Sequence, residues 1–108
     1  MTRLPVIVAL LLVPASATAH ELVDSARLRE MWEEYKHLPD SAGARMLMGY
    51  VAGVADNAPA SLCLPRRIGT RQLVETVGHF AEAPTAQHYR SGSTLVKDAL
   101  RRAFPCPR

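Results

Sequence analysis

No apolar run in this 108-residue chain reaches the roughly 20 residues needed to span a bilayer as a helix. Cysteine is nearly absent: Cys63 and Cys106 are the only two, so no Cys-x-x-Cys pair exists. His-Glu-x-x-His, a glycine-rich phosphate loop and Gly-x-Ser-x-Gly are also missing, and with them the common sequence marks of zinc hydrolases, nucleotide-binding enzymes and serine hydrolases. The histidines at 20, 37, 79 and 88 are scattered. Glu75 and His79 stand at i, i+4 and could share a metal, but a zinc site needs three or four ligands, so they read as a solvated pair. A Cys63 nucleophile with His79 as its base requires a free thiol. We therefore expect no enzyme, no metal and no organic cofactor.

What is present begins with the N-terminus, MTRLPVIVALLLVPASATAHE. One basic residue, Arg3, precedes an apolar run from Leu4 to Val13. Pro14 breaks the run, and small residues follow up to Ala17-Thr18-Ala19. A short charged start, an apolar core and an A-x-A end describe a secretory signal peptide. The predicted organisation is a signal peptide over 1–19, cleaved after Ala19, and a single domain over 20–108. A membrane-anchored tail is the competing reading, and the shortness of the run counts against it.

Export gives the two cysteines a role. Disulfides persist in the periplasm or outside the cell, where an even number of cysteines in a small chain is expected to pair. Cys63 and Cys106 allow one intramolecular bridge. Closing a loop of that span stabilises by about 4 kcal/mol on the chain-entropy argument, a large share of the roughly 5–10 kcal/mol expected of such a domain.

Residues 20–108 read as four helical segments separated by Pro, Gly and Ser, with no convincing strand. In the first, Leu28, Met31, Trp32 and Tyr35 fall at i, i+3, i+4, i+7, one apolar face, and Pro39 predicts an end near His37. The second, SAGARMLMGYVAGVADNAP, opens with Ser41 as N-cap and repeats Met46/Leu47, Tyr50/Val51 and Val54. Gly49, Ala52 and Gly53 leave one of its sides nearly bare. Glycine inside a helix costs about 1 kcal/mol relative to alanine, so close approach of another helix at Gly49 and Gly53, within the fold or across a dimer axis, is the expected compensation. The third helix has Thr70 as its predicted N-cap and Leu73, Val74, Val77, Phe80 and Ala81 as its buried stripe. The fourth starts at Ser91 or Ser93 and buries Leu95, Val96, Ala99, Leu100, Ala103 and Phe104. The expected fold is all-α, a small bundle of about four helices whose disulfide clamps the tail onto the linker between the second and third helices.

Charge is uneven. Residues 20–60 carry four Lys/Arg against seven Asp/Glu, and residues 61–108 carry eight against three. Arg66, Arg67, Arg71, Arg90, Arg101, Arg102 and Arg108 all lie in the second half. Arginine clusters often serve nucleic acid, which an exported protein rarely meets, so no nucleic-acid partner is expected. The alternatives are a solvated basic face and a surface that meets an acidic protein.

Three stretches carry a family resemblance: GYVAGVAD at Gly49–Asp56, LCLPRRIGTRQLVETV at Leu62–Val77 and TLVKDALRRAFPCP at Thr94–Pro107. In order and spacing they resemble the Rap/Tai family of immunity proteins, over most of residues 20–108. That resemblance implies an exported, disulfide-bonded, all-helical and commonly dimeric protein. It implies protection against type VI secretion effectors that are peptidoglycan amidases, with a protruding loop blocking the amidase cleft. The LCLP and FPCP cysteines match Cys63 and Cys106. Many relatives have further cysteines in the first helix and before the Gly-Tyr pair, where this chain reads LREMWEEY and RMLMGY.

Taken together, these features predict a periplasmic binding protein, a homodimer without stable membrane insertion after signal cleavage, that inhibits such an amidase. The loop APTAQHYRSG (Ala83–Gly92) is the expected blocking element, with His88, Tyr89 and Arg90 reaching the partner; tyrosine and arginine are enriched at binding hot spots. A small periplasmic chaperone or adaptor without a cognate toxin is the alternative of a different class.

Overall fold

The computed structural model describes residues 2–10 and 21–108. Four helices make the bundle: α1 (Ser25–His37), α2 (Ala42–Asp56), α3 (Thr70–Glu82) and α4 (Gly92–Ala103), with a single 3₁₀ turn at Pro84–Ala86 between α3 and α4. No strand forms among the described residues; two isolated bridges, Asp24 with Ser91 and Leu62 with Pro105, tie loops together. The all-α bundle and its one disulfide are as the sequence predicts. Met1 and residues 11–20, which include the cleavage position after Ala19, lie outside the described residues. Leu4, Val6, Ile7, Val8 and Leu10 are 74–88% exposed, so these five side chains add nothing to the core. No helix among the described residues is long and apolar enough to cross a membrane.

The ends of the helices follow from local chemistry. Asp24 caps α1 by accepting from the Arg27 amide, Ser41 caps α2 through Ala44, and Ser91 caps α4 through Thr94, each satisfying one of the amides that a helix start leaves unpaired. The third cap differs from expectation. Gly69 occupies that position without a side-chain bond and Thr70 is already helical. Of the two starts open for α4, Ser91 is the cap, and Ser93 lies inside the first turn.

A single core unites the four helices. Leu28, Met31, Trp32 and Tyr35 of α1 meet Leu47 and Val51 of α2, Leu73, Val74 and Val77 of α3, and Leu95, Val96 and Leu100 of α4. On α2 the buried stripe is Ala44, Leu47, Val51 and Ala55, whereas Met46 is 48% exposed; the helix is rotated so that Gly43 lies against Glu34 of α1. Phe80 and Phe104 are only half-buried and Ala103 is exposed, because α3 and α4 turn these positions toward the bundle edge.

Close packing does rest on glycine, but not on the two expected. A Cβ at Gly43 would strike the Glu34 carboxylate, one at Gly78 the Trp32 indole, and one at Gly92 the Val23 carbonyl, whereas at Gly49 or Gly53 it would meet nothing within 4 Å. Among the described residues, then, no helix packs on Gly49 or Gly53; they face outward.

Cys63 and Cys106 are bonded, with their Cα atoms 4.9 Å apart. Alongside them the Cys63 amide donates to the Phe104 carbonyl at 3.2 Å. The linker after α2 and the segment after α4 are thereby fastened to each other, and frayed ends are prevented where a chain otherwise loosens first.

Candidate partner-binding surfaces

The connection between α3 and α4 is short and held from several sides. Ala86 is fully buried. Its carbonyl accepts from Arg29 Nη2 at 2.9 Å, and Gln87 Nε2 donates to the carbonyls of Ala81 and Ala83. The Ser25 hydroxyl donates to the Tyr89 carbonyl, and the Ser25 amide to the Arg90 carbonyl at 2.9 Å. The first turns of α1 therefore fix the backbone of this loop. The anchors from α1 were not apparent from sequence, since Ser25 and Arg29 stand more than 50 residues from their partners.

The three side chains expected to reach outward separate. His88 and Arg90 are exposed. Tyr89 is half-buried, its ring 5.7 Å from that of Phe80, and its hydroxyl donates to Asp98 Oδ2 at 2.6 Å. That bond to a carboxylate, then burial, raises the pKa of the phenol. Tyr89 thus serves first to seat the loop on α4, and His88 lies over it with ring centroids 4.4 Å apart. Arg102 continues the same ledge, its guanidinium 5.3 Å from the Phe80 ring centroid, while Arg101 pairs with Asp98 at 2.9 Å. Spacing carried a signal for that ion pair, Asp98 and Arg101 being at i, i+3 on one helix face.

Gly49 and Gly53 line a second feature. With Tyr50, Val54, Asn57, Ser93 and Lys97 they bound an open groove of about 440 Å³ between α2 and α4. Lys97 is the one charged residue in its lining. Burial, and next the Glu21 carboxylate, raise the pKa of the Tyr50 hydroxyl. Glu21 in turn accepts from Ser91 and Ser93, fastening the strand-like entry to α1 onto the start of α4.

A cleft of about 310 Å³ lies between α1 and α3, lined by Trp32, Tyr35, Lys36, Pro39, Arg71, Glu75 and His79. Its floor is nearly closed, because Trp32 is 2% and Tyr35 7% exposed. Here His79 approaches Glu82 at 4.0 Å rather than pairing with Glu75. Among the described residues no group of three or more His, Cys, Asp or Glu could hold a metal ion. Cys63 is in the disulfide and offers no thiolate.

The surfaces are therefore a preorganised loop with His88 and Arg90 exposed and an outward-facing glycine groove, features suited to protein contact. A family profile, that of the Rap1a immunity proteins, matches residues 14–106. No curated protein matches the chain.

Proposed function

The chain belongs to the Rap1a immunity proteins, and we propose on that premise that it is a periplasmic inhibitor of a type VI secretion peptidoglycan amidase. It acts as a single domain, residues 20–108, released from a signal peptide by cleavage after Ala19. The inhibitor binds its amidase stoichiometrically and occludes the catalytic cleft without chemistry of its own. The family match over residues 14–106 carries this reading.

The occluding element is the Ala83–Gly92 loop, through His88 and Arg90. Its backbone is already tied to α1 by Ser25 and Arg29, so docking need not order a flexible segment, which otherwise costs roughly 0.5–1.5 kcal/mol for each immobilised side chain. A homodimer forms through the groove lined by Gly49 and Gly53. Among the described residues no atom lies within 4 Å of a Cβ placed at either position, which supports this, because their bare backbone can admit a helix from a second copy.

The test directs the amidase-like product of a neighbouring gene to the periplasm of a test cell, with and without this protein, and follows lysis. Protection that requires the signal peptide is the expected result. Lysis at an unchanged rate, with both proteins present and folded, would remove that amidase as the partner.

A further inference from the structure

The disulfide does more than fasten the tail: it gathers arginines. Arg66 and Arg67 follow Cys63 in the linker, Arg101 and Arg102 end α4, and Arg108 follows Cys106. Each stands within five residues of a bonded cysteine, so the 4.9 Å separation of those two Cα atoms brings linker and tail arginines to one end of the bundle. All five are exposed. No Asp or Glu occurs between Asp56 and Glu75, and none follows Asp98. Asp98 is already engaged by Arg101 and Tyr89. Among the described residues Arg66, Arg67 and Arg108 form no ion pair.

We propose that this disulfide-gathered arginine surface docks an acidic face of the inhibited protein, outside its catalytic cleft, and accelerates their encounter. The proposal rests on the immunity reading and adds a second contact area to the loop. Clustered charge of one sign raises association rates by roughly 10- to 1000-fold at low ionic strength and does little to dissociation. Two observations favour a protein over an anionic membrane. Among the described residues the exposed large apolar side chains are Leu4, Val6, Ile7, Val8, Leu10, Leu22, Leu38 and Met46. None belongs to the Cys63 linker, α4 or the tail, so these segments offer lipid no large exposed apolar side chain of the kind a membrane-resting surface requires. The cations are also arginine without exception, the side chain whose planar fork meets carboxylates two bonds at a time. The surface adjoins the loop ledge through Arg102, which rests on Phe80, so a single partner can touch both.

The experiment compares the full chain with the triple variant Arg66→Glu, Arg67→Glu, Arg108→Glu, whose altered positions have no intramolecular ion pair to lose. Association with the purified amidase is followed at low salt, about 20 mM, and near 150 mM, where the Debye length is about 8 Å. Wild-type association is expected to slow with salt. The variant should associate at least tenfold more slowly at low salt, lose most of the salt dependence, and dissociate at the wild-type rate, with an unchanged thermal melt. Equal association rates would overturn the proposal while leaving inhibition by the loop intact. Arginine-dependent binding to phosphatidylglycerol vesicles or duplex DNA, with the amidase rate unchanged, would overturn it in favour of those occupants. An amidase that does not bind wild type at all removes the immunity reading for that pair and this inference with it.

Discussion

Gly78 of α3 lies directly against the indole of Trp32 in α1: a Cβ added at Gly78 would overlap Trp32 Cδ2. Alanine gains about 1 kcal/mol over glycine in a helix, but overpacking a rigid ring costs about 1–3 kcal/mol, and a contact this short belongs at the upper end. Gly78→Ala is therefore expected to lower the urea midpoint. Trp32, the chain's one tryptophan, should report the displacement as a shift in its emission.

The opposite sign is expected at Gly49 and Gly53, where a methyl group meets nothing. Gly49→Ala and Gly53→Ala should each stabilise the fold by up to about 1 kcal/mol, read in urea unfolding. Sedimentation of the same variants should show weakened self-association, because the added carbons fill the groove assigned to the second copy. Stability that rises with association untouched would place the dimer contact elsewhere.

The acidic limb of the stability profile should depend on Glu82. Lys36, then the Trp32 indole N–H at 2.7 Å, hold its carboxyl below the ordinary 4.5. A depressed folded-state value means stability present above 4.5 and lost as pH falls through the lowered one. Lys36 is raised above its ordinary 10.5 by Glu33 and then Glu82, so its contribution is complete below 10.5 and lost as pH rises through the raised value. Trp32 fluorescence should hold steady between those limits and change below 4.5. Glu82→Gln should remove that acid change; its survival would assign it to another carboxylate.

Substitutions in the loop should divide into two kinds. His88→Ala with Arg90→Ala is expected to weaken amidase binding more than tenfold with an unaltered melting curve. Tyr89→Ala should lower the melting temperature as well, since it removes both the bond to Asp98 and the packing on Phe80. Unchanged affinity of the His88/Arg90 variant, measured by titration calorimetry, would sink the loop as the blocking element.

Replacing both cysteines with serine should cost up to about 4 kcal/mol on the loop-closure argument, measured by urea unfolding under oxidising conditions. Wild type in reductant should approach the variant's midpoint.

Helix placement was legible because apolar spacing and punctuation agreed: Leu28, Met31, Trp32 and Tyr35 define one face, and Ser41 and Pro39 mark its neighbouring ends. The pairing of Cys63 with Cys106 followed from their count and from the export that the N-terminal sequence predicts. Rotation of α2 was not legible, because Met46 and Leu47 are adjacent apolar residues and the fit of Gly43 against Glu34 of α1 appears only in the fold. The glycines misled for a related reason. A bare position shows where approach is permitted, not where it happens, so Gly78, isolated in its stripe, bears the contact that Gly49 and Gly53 seemed to offer. Tyr89 looked like a reaching residue because its anchor, Asp98, lies nine positions on in a different element.

The bridge also imposes an order in time. Cys63 precedes α3 and α4, and its partner follows both, 43 residues later. A chain emerging from its N-terminus therefore holds Cys63 as a lone thiol until 43 further residues have followed. During that interval it can take another protein's sulfur instead. Joining the two cysteines is thus a late event in the protein's formation, since both α3 and α4 must emerge before Cys106 can reach Cys63.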